Sequence, residues 1–304
     1  MASPVAARHD PYALYLVDSS IYIFQAWHTY HQVFDADGQP ANAAVGFTDF
    51  LFRLLQRRQP VAIVCAFDES HGKSVRHRIY PLYKANRPLV PADLKHQFAL
   101  CKSFVEAAGI TALASNDVEA DDIIGTLCGH HRSQCGASVI VSADKDLCQF
   151  VGPDDAVWDY TRDTWLDARL VEKRFGVRPR QIPDLLALTG DKVDNIPGVP
   201  GVGIATAAKL LVKWGNLDVL LDNIDKVANM KFRGAKHIAS VLAEHVSTVR
   251  TARQLTGLHQ FALPAQLSTA ITPDHQKLSD MFERLQFSTQ RCRQWLELLP
   301  NEPT

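Results

Sequence analysis

Three continuous apolar runs, each stopped by an aspartate, constrain this chain more than any other feature. "ALYLV" (13–17) ends at Asp18, "VAIVCAF" (61–67) at Asp68 and "SVIVSA" (138–143) at Asp144. Short apolar runs without polar alternation read as strands buried on both faces. Helical stretches lie between them: 43–58, 93–109 closed by Gly109, and 119–132. Strands alternating with helices imply a parallel sheet covered on both sides, whose working crevice lies off the carboxyl ends of the strands. A single Asp behind a strand is an ordinary turn residue. Three strands that each deliver one to the same edge make a pattern.

More acids arrive from other segments. Glu119, Asp121 and Asp122 in "VEADD" open a helix, where the macrodipole favours negative charge. Glu119 and Asp122 stand three apart on one helical face, which is expected to look into the crevice. Asp146 follows Asp144 in "SADKDL". Grouped carboxylates cannot all stay ionised without a counter-charge. Oxygen ligands with no His or Cys among them favour Mg²⁺ or Mn²⁺ over zinc. There are more of them than one hydrated Mg²⁺ takes, which points to two or more ions. Two ions roughly 4 Å apart stabilise the attacking and leaving oxygens of a phosphate ester. The expected chemistry is metal-dependent phosphodiester hydrolysis.

"GDKVDNIPGVPGVGIATAAKLL" (190–211) adds Asp191 and Asp194, three apart, to the same acid set. Gly198, Gly201 and Gly203 allow positive φ and bare backbone, so that consecutive N–H groups can face an anion. The helix beginning near Ile204 points its N-terminus at that anion, with Thr206, Lys209 and Lys213 beside the next phosphates. This is the helix–hairpin–helix pattern for holding a duplex backbone without reading bases. A tight turn between two helices is the alternative, and it needs one Gly rather than three.

"LVDSSIYIFQAWH", "FDESHGKSVRHRIYPLYKANRP", "VEADDIIGTL", "VSADKDLCQFV" and "LTGDKVDNIPGVPGVGIATAAKLL" together closely resemble the 5′-nuclease domain of bacterial DNA polymerase I and the wider flap-endonuclease superfamily. The resemblance runs from about Tyr12 to near Trp295, with "FERLQFSTQ" (282–290) similar to the family's C-terminal end. It implies a PIN-like α/β nuclease core over 1–183 with a mostly parallel sheet and a helical arch at about 70–97. A helix–hairpin–helix duplex-binding and helical region over 184–304 is implied as well. So is hydrolysis that leaves a 5′-phosphate at a flap, nick or gap in branched or nicked DNA with a 5′ single strand, RNA primer–DNA hybrids included. The family's metal positions fall on Asp18, Asp68, Glu119, Asp121, Asp122, Asp144, Asp146, Asp191 and Asp194, all carboxylates here. Of these, Asp18, Asp68, Asp122, Asp144 and Asp146 are also expected to be catalytic. A K⁺ ion at the hairpin belongs to the same picture. With no polymerase or proofreading segment following, the chain resembles a free-standing member.

The formal charge of −1 argues against a nucleic-acid partner only until it is resolved by segment. Residues 71–97 carry six Lys/Arg against one acid, and the nine metal-set acids outweigh the net charge, leaving the rest of the chain basic. In "VRHRIYPLYKANRPLVP", Lys84 and Arg87 match the family's cation pair at the base of the arch and are expected to act as electrostatic catalysts. Arg76 is expected on DNA. Tyr83 is expected on DNA too, with core packing as the alternative. Phe24 matches an aromatic that stacks on an unpaired base, against a core Phe as the alternative. Ser19 and Gln25 depart from the family, which usually has Gly and Arg there; losing the guanidinium removes a phosphate contact. Six scattered cysteines without metal spacing fit a reducing cytoplasm, no apolar run spans a bilayer, and a monomer is expected.

Overall fold

The first apolar run becomes β1 (Leu14–Asp18), and it lies in the middle of the sheet in this computed structural model, which describes residues 13–69 and 73–300. There follow α1 (Ser19–Thr29), α2 (Asn42–Arg58), β2 (Ala62–Asp68), α3 (Val75–Ile79), α4 (Ala92–Ala107) and β3 (Thr111–Ser115). Next come α5 (Ala120–Ser133), β4 (Ser138–Val141), β5 (Ala156–Asp159), β6 (Thr164–Leu166) and α6 (Ala168–Phe175). The helical remainder holds α7 (Ile182–Thr189), α8 (Ile204–Trp214), α9 (Leu217–Leu221), α10 (Ile224–Val227) and α11 (Ala235–Glu244). It ends with α12 (Val246–Thr256), α13 (His275–Arg284) and α14 (Thr289–Leu298).

The strand order is β3-β2-β1-β4-β5-β6, parallel except for the β5–β6 hairpin. Leu14 pairs with Ala62 on one side and with Ser138 on the other. The winding therefore reverses between β1 and β4, where crevices open in sheets of this kind. Asp18 ends β1 at that point.

Alternation along β1 divides the interior in two. Leu14 and Leu16 join the layer of α5, α7 and α8, while Tyr15 and Val17 join that of α2, α4, α13 and α14. Phe47, Leu51, Leu54 and Leu55 recur at helical spacing on α2 and fill the second layer with Phe104, Phe282 and Trp295. The chain after residue 257 packs on the second layer through Leu278 and Phe282 of α13, Leu285, Trp295 of α14 and Leu299.

Three differences have plain causes. β3, β5 and β6 were not legible: "TALAS" offers small, half-exposed side chains, and the hairpin strands are too short to show a period. β4 stops at Val141, so Asp144 sits in the loop beyond it. The expected helical arch is, among the described residues, only the five-residue α3 followed by turns up to α4. Pro81, Pro88 and Pro91 interrupt that stretch, and each removes a helix donor; residues 70–72 lie outside the described residues.

Candidate active site

Asp18 pairs in register with Ala66, which puts Asp68 two residues farther along the same edge. Ser142, just past β4, donates its hydroxyl to Asp18 Oδ2 at 2.8 Å and accepts the Asp144 N–H at 3.0 Å. One small side chain thus ties the acid of β1 to the loop carrying Asp144 and Asp146. Asp144 Oδ1 accepts the Asp146 N–H at 2.8 Å, folding the chain into a short 3₁₀ turn (Asp146–Phe150). Asp121 enters from the first turn of α5.

Burial pushes the Asp18 carboxyl up to about 7, with the charges of Asp144 and Asp68 adding to it against the Ser142 hydrogen bond. Asp146 is likewise raised to about 7, by burial and then by Asp144, Asp191 and Asp194. Burial raises Asp121 well above the usual range, helped by Asp144 and Asp18; it also raises Asp144, helped by Asp194. Acids from five separate segments therefore sense one another at one sheet edge. Among the described residues no three His, Cys, Asp or Glu side chains already close around a single point. Asp146 Oδ1 is buried there with no hydrogen-bond partner, a costly state for a carboxylate oxygen. An all-oxygen donor set with one such orphaned atom fits a hard divalent cation.

Cations face the acids. Lys84 Nζ lies 2.8 Å from Glu119 Oε2. Burial works against the Lys84 charge, yet Glu119, Asp194 and Asp68 raise its pKa; burial would also raise Glu119, but Lys84 and Arg76 hold it below the usual carboxylate range. Arg87 pairs with Asp194. The two cations reach the acids from a turn and not from one helical face. Lys84 has φ +54°, its N–H donates to the Asp194 carbonyl at 2.9 Å, and Asn195 Nδ2 donates to the Leu82 carbonyl at 2.7 Å. The segment expected to arch is thereby laced to the 191–195 loop. Lys145 and Ser142 were missed in the sequence. Lys145 Nζ lies 2.6 Å from Asp191 Oδ2, and its signal was a cation between two acids in "ADKD".

Three assignments change. Asp122 is fully buried and faces away from the crevice: Arg76 grips it bidentately, and it accepts the Glu119 and His259 N–H groups. Arg76 is itself buried, so it is an interior counter-ion and not a DNA contact. Tyr83 is buried too, its hydroxyl 3.0 Å from Glu119 Oε2 and 3.1 Å from Asp194 Oδ2, which makes it a core aromatic rather than a stacking platform. All three follow from the apolar packing of α3 and α5, which leaves the "inward" polar groups to pair with each other. Phe24 remains 37% exposed, edge-on to Phe98, and Gln25 Oε1 accepts from Thr161 instead of projecting freely.

In the glycine-rich loop, only Gly201 of the three has positive φ, at +78°. A Cβ on Gly198 would sit 2.3 Å from the Thr189 carbonyl carbon and 2.4 Å from the Gly190 nitrogen, so this glycine serves the packing of the loop on the end of α7. A Cβ on Gly203 would meet nothing. Gly203 caps α8 with no side-chain hydrogen bond; its carbonyl accepts the Thr206 and Ala207 N–H groups, at 3.0 and 2.9 Å. Ala207, Leu210 and Leu211 are buried, while Lys209 and Lys213 are exposed and Thr206 half-exposed.

The family model described as 5′-3′ exonuclease, N-terminal resolvase-like domain, matches residues 13–176, and that described as 5′-3′ exonuclease, C-terminal SAM fold, matches residues 177–277. A 5′-3′ exonuclease of Aquifex aeolicus (strain VF5) is 40% identical over 214 residues, covering 70% of this chain and 73% of that one. DNA polymerase I of Mycobacterium leprae (strain TN) is 34% identical over 305 residues, covering 96% of this chain and 32% of the polymerase. The chain spans less than a third of the length of the polymerases it matches. A structure of T5 5′-exonuclease with bound divalent metal ions (zinc) superposes with a TM-score of 0.66 at 17% identity, covering 94% of this chain and 98% of that one. The catalytic core of Rad2 in complex with DNA substrate superposes with a TM-score of 0.67 at 16% identity, covering 97% and 94%. At these identities the structural likeness is one of fold.

Proposed function

This chain belongs to the 5′-3′ exonuclease family, and from that premise we propose that it is a structure-specific 5′-nuclease acting on DNA at flaps, nicks or gaps. The observation that carries the reading is the meeting of buried and half-buried acids from five segments at one sheet edge, with Lys84 and Arg87 beside them. Asp18, Asp68, Asp121, Asp144, Asp146, Asp191 and Asp194, with the buried Glu119 beside them, are the groups to hold Mg²⁺ or Mn²⁺. Such ions, when bound, supply a nucleophilic water and stabilise the leaving oxygen.

The chain's own residues do the rest. Ser142 keeps Asp18 and the 144–146 loop in one relative position. Lys84 and Arg87 sit where they offset negative charge building on the phosphate. The exposed start of α8, with Lys209 and Lys213, holds the duplex backbone, and Phe24 offers a face to an unpaired base. The T5 and Rad2 structures of the same fold, described with divalent metal ions and with DNA substrate, support the choice of ligands.

Cleavage mapping on end-labelled 5′ flaps, nicked duplexes and gapped duplexes tests it, with DNA and RNA flaps side by side. Cuts near the junction are expected with Mg²⁺ or Mn²⁺ and none with EDTA. A chain that binds the flap yet cuts under no divalent salt is a junction binder, and one that cuts only RNA is a ribonuclease; either result overturns the proposal.

A further inference from the structure

Lys145 places an ammonium beside Asp146 and Asp191, whereas that of Lys84 lies on Glu119. The Lys145 Nζ is 2.6 Å from Asp191 Oδ2 and 3.7 Å from Asp146 Oδ1, the buried oxygen that lacks a hydrogen bond. The two lysines are not equivalent. Lys84 has a side chain 16% exposed, and its backbone is fastened to Asp194. Lys145 precedes the 3₁₀ turn with a side chain 43% exposed, so its ammonium can swing into water, leaving the Asp191 carboxylate, whose side chain is 7% exposed, in need of another cation.

We propose that Lys145 is a detachable counter-cation of the Asp146–Asp191 half of the crevice, competing with a divalent ion for those oxygens and setting the ion concentration at which that half fills. The proposal rests on the metal reading given above. An ammonium and a divalent cation a few ångströms apart repel each other, and here they also want the same oxygens.

The sign of the effect depends on what else holds Asp191. Its Oδ1 accepts the Val193 N–H at 2.7 Å and the Asp194 N–H at 3.4 Å, so its own loop aims the carboxylate without help from the lysine. Asp146 is aimed by the turn that its N–H starts on Asp144. Removing the ammonium therefore leaves both carboxylates in position and takes away only the competitor.

The test is a Mn²⁺ titration of the metal-free protein, with free Mn²⁺ read by electron paramagnetic resonance, on wild type, Lys145→Met and Lys145→Gln. Both variants are expected to keep the number of bound ions and to bind the weaker ion about tenfold more tightly, the size expected from losing one nearby like charge in a partly exposed site. The stronger ion should be little changed. Weaker or unchanged binding in both variants, with melting temperatures like wild type, overturns the role of Lys145 alone. No Mn²⁺ binding by wild type or variant overturns the metal reading and this proposal together.

Discussion

Arg76 and Asp122 form a two-pronged ion pair sealed from solvent, with Arg76 Nη2 2.9 Å from Asp122 Oδ1. The same guanidinium donates to the Leu255 carbonyl through Nε at 2.7 Å and to the Gly257 carbonyl through Nη2 at 3.1 Å. One side chain thus fastens α3, the start of α5 and the end of α12 together, directly behind Glu119.

Breaking such a buried pair from one side costs about 3–5 kcal/mol, because the remaining charge is stranded. Asp122→Asn is expected to lose stability of that order in urea unfolding while leaving Mn²⁺ affinity in place. Asp121→Asn should do the reverse. It removes a carboxyl that burial and its neighbours disfavour, so the metal-free fold gains stability and Mn²⁺ binding weakens. An Asp122→Asn protein of wild-type stability that no longer binds Mn²⁺ would return Asp122 to the metal set.

Lys84→Met should lower single-turnover cleavage of a 5′ flap by about 10²–10³-fold, the usual loss for one buried electrostatic group facing developing charge. Flap binding, measured by fluorescence anisotropy, should change far less. Arg87→Met should cost less in rate, since its side chain is 46% exposed. Equal losses in binding and rate for Lys84→Met would show that the ammonium serves ground-state binding.

The three loop glycines should separate by mechanism. Gly198→Ala drives a Cβ into the backbone of Thr189 and Gly190, and should lower the melting temperature sharply. Gly201→Ala should cost about 1–2 kcal/mol for left-handed backbone. Gly203→Val faces open space at φ −93°, so the fold should tolerate it while binding of a nicked duplex weakens. If Gly203→Val binds the duplex as wild type does, the backbone there does not approach a phosphate.

Acid titration should appear in the metal-free protein. Asp18 and Asp146 stand at about 7 against a reference of 3.8, chiefly through burial. Between those values the folded chain keeps protons that the unfolded chain has released. Their contribution to stability is therefore full below about pH 4 and is lost as pH rises toward 7. Over pH 5 to 8 the melting temperature should fall more steeply in wild type than in Asp18→Asn. Mn²⁺ added at pH 8 should restore it, because the ion binds the ionised form. Identical slopes for the two proteins would remove Asp18 from the buried acid set.

Much of the fold was readable because its period is local. The runs ending at Asp18 and Asp68 became strands with those acids at their ends, and the helix beginning at Ala120 started where its acids announced it. Edge strand β3 was hidden because half-exposed small residues carry neither a buried run nor an alternation. Lys84 and Arg87 were placed beside the acids by the family resemblance, and a proline-bounded turn brings them there.

By itself the sequence determined that Asp18 and Asp68 end strands, which segments alternate and where a glycine-rich loop meets a helix, since each of these follows from residues within a few positions of one another. Only the tertiary structure decided between Asp121 and Asp122. Neighbours on a helix point about 100° apart, and which of them meets the crevice depends on how α5 is rolled against the sheet. The partner that settles it, Arg76, lies 46 residues away from Asp122, and the carbonyls that complete its shell lie 179 and 181 residues from Arg76. No local pattern carries that information, because the pairing energy exists only once distant segments have excluded water from the same point.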